Sequence, residues 1–179
     1  MTDDTGGRPG LADDEDPSGA DTPIGHDDRP STIPWPPLLL LAVAIAALLL
    51  GRLVPLPWPG MDDTPARVIG IGFGVLGVAL MGWAFWEFFR ARTNILPHRA
   101  ADHLITSGPF RRFRNPIYLA DTMLLLCAAE LTKNIWFVVA AACFVPLVTW
   151  LAILPEERHL ARRFGDAYRD YVSRSRRWI

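Results

Sequence analysis

Thr106-Ser107-Gly108-Pro109-Phe110-Arg111-Arg112-Phe113-Arg114-Asn115-Pro116-Ile117-Tyr118 is a turn-rich, cationic stretch between hydrophobic segments long enough to enter a bilayer. Gly108 and Pro109 fix a turn, one by its tolerance of positive φ and the other by its preset φ. Pro116 suits the first turn of a helix, where its missing N–H costs nothing. An apolar arm therefore begins near Pro116, with Arg114 and Asn115 at its start beside free backbone donors. Tyr118 lies within its first turn. Such a cluster can hold an anion, a carboxylate for example, through a charge-assisted fork. The same arginines also suit a plain loop that touches lipid phosphate. The stretch alone leaves both readings open.

Outward from this stretch the chain reads as a membrane protein. Residues 117–131, a Thr132-Lys133-Asn134 turn and residues 135–154 form an apolar helical hairpin. Its first arm is short for a span and carries Asp121 and Glu130, which points to tilt or partial enclosure by protein. Pro146 is expected to kink the second arm. Asp121 at membrane depth is a functional candidate; hydration one turn below the surface is the plainer alternative. Upstream, residues 67–89 make a span, uncharged from Val68 to Trp86. It holds Gly72-Phe73-Gly74-Val75-Leu76-Gly77, a literal GxGxxG. The dinucleotide version needs a preceding strand and a βαβ unit, so here the motif, with Gly70 and Gly74 as GxxxG, reads as close helix packing in lipid. Residues 34–53 form another span, with Trp35 and Trp58 at interfacial positions.

The remaining segments are set by charge. Residues 1–33 hold nine acidic residues against two Arg and almost nothing apolar. Such a tail cannot offset its ordering entropy and is expected to be disordered. Beyond it the balance turns basic, so the net charge of −1 conceals a strong asymmetry. Residues 90–116 form a basic loop. The C-terminal segment from Pro155 carries seven Arg, with Leu160, Phe164, Ala167, Tyr168 and Tyr171 at helical spacing. It reads as an amphipathic helix over 156–177 lying on the membrane. Cys127 and Cys143 sit in apolar runs as small hydrophobes. The fold class expected is an all-α integral membrane protein: about four transmembrane helices including the hairpin, a C-terminal amphipathic helix and a disordered acidic N-terminal tail. Four spans put both termini and the 90–116 loop on one side, and arginine bias makes that side cytoplasmic.

Glu156 and Glu157 run against that bias. One can pair with Arg158 or Arg162 across a helical turn. The other can accept from a ribose diol or an ammonium group, since an ionised carboxylate only accepts. Arg, Asn, Tyr, Glu and apolar walls together suit a guest that is zwitterionic, hydroxylated and partly aromatic. S-adenosylmethionine fits, and NADPH is its nearest rival. His98, His103 and His159 lack the HExxH type of spacing, so no metal is expected.

Gly108-Pro109-Phe110-Arg111, then Arg114-Asn115-Pro116-Ile117-Tyr118, an apolar hairpin, and Glu156-Glu157-Arg158 followed by Phe164-Gly165, Tyr168 and Tyr171 resemble the isoprenylcysteine carboxyl methyltransferase family. The pattern is similar also to its bacterial and phospholipid N-methyltransferase relatives, over roughly residues 66–179. Asn115 stands where the family usually has His. The resemblance implies a membrane methyltransferase domain over residues 34–179 that uses S-adenosylmethionine in a pocket open to the cytoplasm, with a lipophilic acceptor entering from the bilayer. By the same resemblance His98, Gly108, Arg114, Asn115, Pro116, Tyr118, Glu156 and Glu157 line the cofactor site, and Arg114 and Glu157 serve the chemistry. The partners implied are a lipid or lipophilic small molecule and a bacterial-type plasma membrane, with no nucleic acid and no metal. The rival classes are an NADPH-dependent sterol-type reductase and a non-enzymatic membrane scaffold.

Overall fold

The computed structural model describes residues 35–59, 64–91 and 104–179. The acidic tail, His98 and His103 lie outside the described residues. Five α-helices follow in order: α1 Trp35–Leu53, α2 Thr64–Arg90, α3 Pro116–Thr132, α4 Trp136–Val148 and α5 Leu154–Arg174. A 3-10 turn, Gly108–Arg111, precedes α3, and a π-helical turn, Thr149–Ile153, joins α4 to α5. No strand occurs among the described residues.

The helices pack in the spatial order α2, α3, α4, α1. Among the described residues three helices are long and apolar enough to cross a membrane: Pro36–Leu53, Thr64–Arg90 and the continuous helix from Trp136. The expected fourth, α3, has 17 residues, about 25 Å at 1.5 Å per residue. It is too short to qualify by length. Protein covers it on two sides instead, and Asp121 and Glu130 are both buried.

The α2–α3 seam explains the glycines. Gly70, Gly74 and Gly77 are buried on one face of α2. A Cβ on Gly70 would lie 2.5 Å from Glu130 Cβ, and one on Gly74 would lie 2.5 Å from Cys127 Sγ. Gly72, on another face, meets nothing. The apparent dinucleotide motif is therefore a packing surface that lets two backbones approach closely.

The core lies between α1, α3 and α4, around Ala47, Leu125, Phe137, Phe144 and Val148. Pro146 falls inside α4. Its missing N–H and its ring disturb the i→i−4 ladder, and the π turn follows directly. That wider turn shifts the phase of everything after it. The expected C-terminal amphipathic helix is present, with a sharp break. Gly165 adopts φ 50°, ψ −118° in mid-helix, a conformation that L residues with a side chain rarely enter. The second half of α5 thereby turns away from the line of the first.

Candidate functional site

The loop carrying Arg114 is docked first from α2. Glu87, near the end of α2, is buried and its Oε2 accepts a bond from Ser107 Oγ at 2.5 Å. Phe88 meets Phe110 edge to face with centroids 5.3 Å apart. Gly108 takes φ 57° directly against Glu87, where a Cβ would lie 2.5 Å from Glu87 Cγ. Sequence reasoning passed over Glu87. The available signal was an acid at the end of an otherwise apolar helix, three residues before Arg90.

The docked loop then receives the C-terminal residues as a hook. Arg114 N donates to Arg176 O at 2.7 Å, and Arg176 N donates to Arg112 O at 2.8 Å. This is a one-residue parallel bridge between Phe113 and Arg176. Tyr171 donates its hydroxyl to Phe110 O at 2.7 Å, and Asn115 Nδ2 donates to Arg177 O at 3.1 Å. Arg114 Nη1 donates to Ser175 O at 2.7 Å and more weakly to Val172 O at 3.3 Å.

Across this junction sits Glu157. Its Oε1 accepts from Arg114 Nε at 3.3 Å and from Arg177 Nε at 3.0 Å, and its Oε2 accepts from Arg177 Nη2 at 2.6 Å. The side chains of Arg114 and Glu157 are only 11% and 17% exposed, so solvent screens the pair poorly. Arg114 and Glu157, 43 residues apart in sequence, share the wall of one cleft of about 390 Å³. Its other walls are Leu154, Arg158 and Ala161 from the first half of α5, Tyr168, Arg169 and Val172 from the second, and Arg177. The break at Gly165 brings residues of both halves of α5 to this open cleft, because a straight α5 would carry its two halves apart.

The remaining expected residues divide. Asn115 is buried and holds the hook, and Pro116 is fully buried at the start of α3. Gly108 packs on Glu87. Tyr118 is within electrostatic reach of Glu156 and Asp121. Glu156 is not among the residues lining the cleft; adjacent helical positions point about 100° apart at 3.6 residues per turn. Two neighbouring acids thus have separate surroundings. Glu156 is solvent-exposed, yet the density of protein around it and the Glu157 charge push its carboxyl up to about 7. Burial also pushes the Tyr171 hydroxyl up to about 12, against the opposing effects of Arg114 and the Ser175 bond. The bond to Glu157 raises Arg177 further. Arg177 and Ser175 were missed in the sequence because nothing in helical spacing says that a chain end folds back.

The cleft's size falls in the range of pockets that take drug-sized ligands, roughly 300–1,000 Å³. Its donor set combines guanidinium groups, one carboxylate and apolar walls, which suits an amphipathic guest carrying an anionic group and a donor. Among the described residues no group of three metal-ligating side chains occurs.

Comparison with known proteins adds the family. No curated protein and no solved structure matches the chain. The family model described as phospholipid methyltransferase matches residues 65–167, more than half of the chain. That span runs from the first turn of α2 through the docked loop, the hairpin and Glu157 to the residues just past Gly165. With three helices fit to cross a bilayer, and with this match over the segment that carries Arg114 and Glu157, the chain is an integral membrane methyltransferase that belongs to the phospholipid methyltransferase family.

Proposed function

We propose that this protein transfers a methyl group from S-adenosylmethionine to a lipophilic acceptor at the inner leaflet. The acceptor is the carboxylate of an isoprenylcysteine-like or isoprenoid molecule, or a lipid headgroup amine. The observation that carries the reading is the meeting of Arg114 and Glu157 in one cleft inside the family's domain. Arginine bias supports a cytoplasmic site and cytoplasmic termini.

When bound, S-adenosylmethionine supplies an electrophilic methyl group on a sulfonium. The protein's main task is then positioning. Arg114 offers the cleft a cationic group for the ligand's carboxylate. Glu157 keeps acceptor capacity for a ribose hydroxyl or an ammonium group. Leu154, Ala161 and Val172 give the apolar side and help to exclude water. A carboxylate acceptor needs no base. An amine acceptor must lose a proton. Glu157 and Asp121 are the candidates to take it; Glu157 lines the cleft but already accepts from two guanidinium groups.

The test is ligand binding by the purified full chain in detergent. S-adenosylmethionine is expected to bind the wild type and raise its unfolding temperature. Unchanged affinity in an Arg114→Ala, Glu157→Ala double variant would refute the site. Stabilisation by NADPH instead would move the assignment to a reductase, and stabilisation by neither to a scaffold. Parallel assays with an isoprenylcysteine analogue and with phosphatidylethanolamine vesicles separate the two acceptor classes.

A further inference from the structure

We propose that Arg177 is a positioning residue of the cofactor cleft, and that residues 175–179 are part of the catalytic domain rather than a trailing end. The inference rests on the functional reading above. It concerns a residue beyond the segment that the family model matches, 65–167.

The geometry makes the case through the lone pairs of Glu157. An ionised carboxylate has about four acceptor sites. Three are filled: one by Arg114 Nε and two by the Arg177 fork. One site is left, on Oε2, aimed by the same fork that occupies its neighbour. Arg177 therefore fixes both where Glu157 points and how many donors it can accept. A ligand hydroxyl or ammonium group finds a single, oriented acceptor in place of a freely rotating carboxylate.

Arg177 can do this because its backbone is held from two directions. Asn115 Nδ2 donates to its carbonyl, and the adjoining Arg176 is bridged to Arg112 and Arg114 by backbone bonds of 2.8 and 2.7 Å. On the other side Trp178 packs against the core cluster. The hook is anchored at both flanks of the residue whose side chain enters the cleft. A bidentate guanidinium is also the group whose replacement by lysine is least conservative, since one ammonium cannot reproduce the fork. Arg174, three positions earlier, makes a comparison within the same segment. It pairs with Asp170 at 2.9 Å with both side chains about two-thirds exposed, and it is not among the cleft's lining residues.

The experiment uses the full chain in detergent, titrated with S-adenosylmethionine, for wild type, Arg177→Gln, Arg177→Lys and Arg174→Gln. Losing two bonds to a charged acceptor is expected to weaken affinity by roughly tenfold or more in Arg177→Gln. Arg177→Lys should fall between it and wild type, with Arg174→Gln within about twofold, the small effect expected of exposed pairs. In turnover, Arg177→Gln should raise KM for the methyl donor more than it lowers kcat, a split that a merely loosened fold would not give. Amide exchange at residues 175–179 should quicken in Glu157→Gln and slow in wild type when the donor is added. Wild-type affinity in Arg177→Gln, or an equal loss in Arg174→Gln, overturns the proposal. A wild-type protein without affinity for S-adenosylmethionine overturns the functional reading itself, which is a distinguishable result.

Discussion

The two ends of the α3–α4 hairpin solve the same problem with opposite consequences. Both must satisfy the polar groups that helix ends leave open. At the turn end the chain closes tightly onto α1 and the residue that follows it, 82 to 87 residues back in sequence. Lys133 takes a left-handed conformation at φ 49°, pairs with Glu130 three residues back and lies 5.4 Å from the centre of the Trp58 ring. Asn134 donates to Ala47 O at 2.9 Å and accepts from Trp136 N. Trp136 Nε1 donates to Val54 O at 2.8 Å. The single acid there has its cation, and the turn presses closely on Gly51 of α1.

At the cleft end the bonds join segments 43 to 62 residues apart, and they enclose space. Four arginines line the cleft with one glutamate, so the charge is not balanced within the wall. A closed, neutral end is what stability alone requires. The open end, with four arginines on its wall, is where the proposed ligand would sit.

That contrast can be broken most severely at Arg114. Arg114→Ala removes a buried charge partner of Glu157 and the donor to Ser175 O. A loss of about 3 kcal/mol, roughly 100-fold, in donor affinity is expected, measured by titration in detergent. Arg114→Ala with wild-type affinity would mean that the cleft end is no more specialised than the turn. Gly165→Ala comes next. Forcing an L side chain into φ 50°, ψ −118° costs about 1–3 kcal/mol. Unless the chain absorbs that strain, α5 straightens and the cleft opens. Thermal unfolding should fall with it, and donor affinity should drop even where the fold survives.

A subtler distinction lies in the pH dependence. Glu156 goes from an ordinary value of 4.5 to about 7 in the fold. Between those values the folded chain binds a proton that the unfolded chain has released, so stability falls as pH rises from about 4.5 to about 7 and is level beyond. Glu156→Gln should reduce that slope in thermal unfolding measured at pH 5, 6, 7 and 8. A cationic ligand beside Glu156 should bind more tightly as pH rises through the same window. The smallest effect belongs to the turn end. Asn134→Ala should cost about 1–2 kcal/mol of stability, the worth of a lost cap and a backbone bond. It should leave turnover per folded molecule unchanged.

Much of this was legible in the residues. The runs at 34–53, 67–89 and 135–154 have no structure available in lipid other than helix, because buried backbone groups must be satisfied within the segment. The glycine seam could be read because GxGxxG inside a spanning helix has no strand to follow. Arg114 and the Glu156-Glu157 pair could be singled out as candidates, one beside a helix start and the other against the charge bias, and the family resemblance gave Arg114 and Glu157 their roles. Other features could not be read. Glu87 was passed over, because its bond to Ser107 depends on where the residues before Arg114 settle against α2. Asn115 could be expected to face a ligand, yet it holds the carbonyl of Arg177.

The division has a physical reason. Composition and periodicity determine which segments leave water and which residues share a helical face, since both follow from local geometry. They determined here the membrane helices, the packing glycines and the supply of arginine and glutamate. The phase of α5 after the π turn, the angle at Gly165 and the return of residues 175–179 depend on contacts between segments far apart in the chain. Tertiary packing alone therefore decided that Glu157 enters the cleft while Glu156 does not line it, and that the last residues of the chain close its wall.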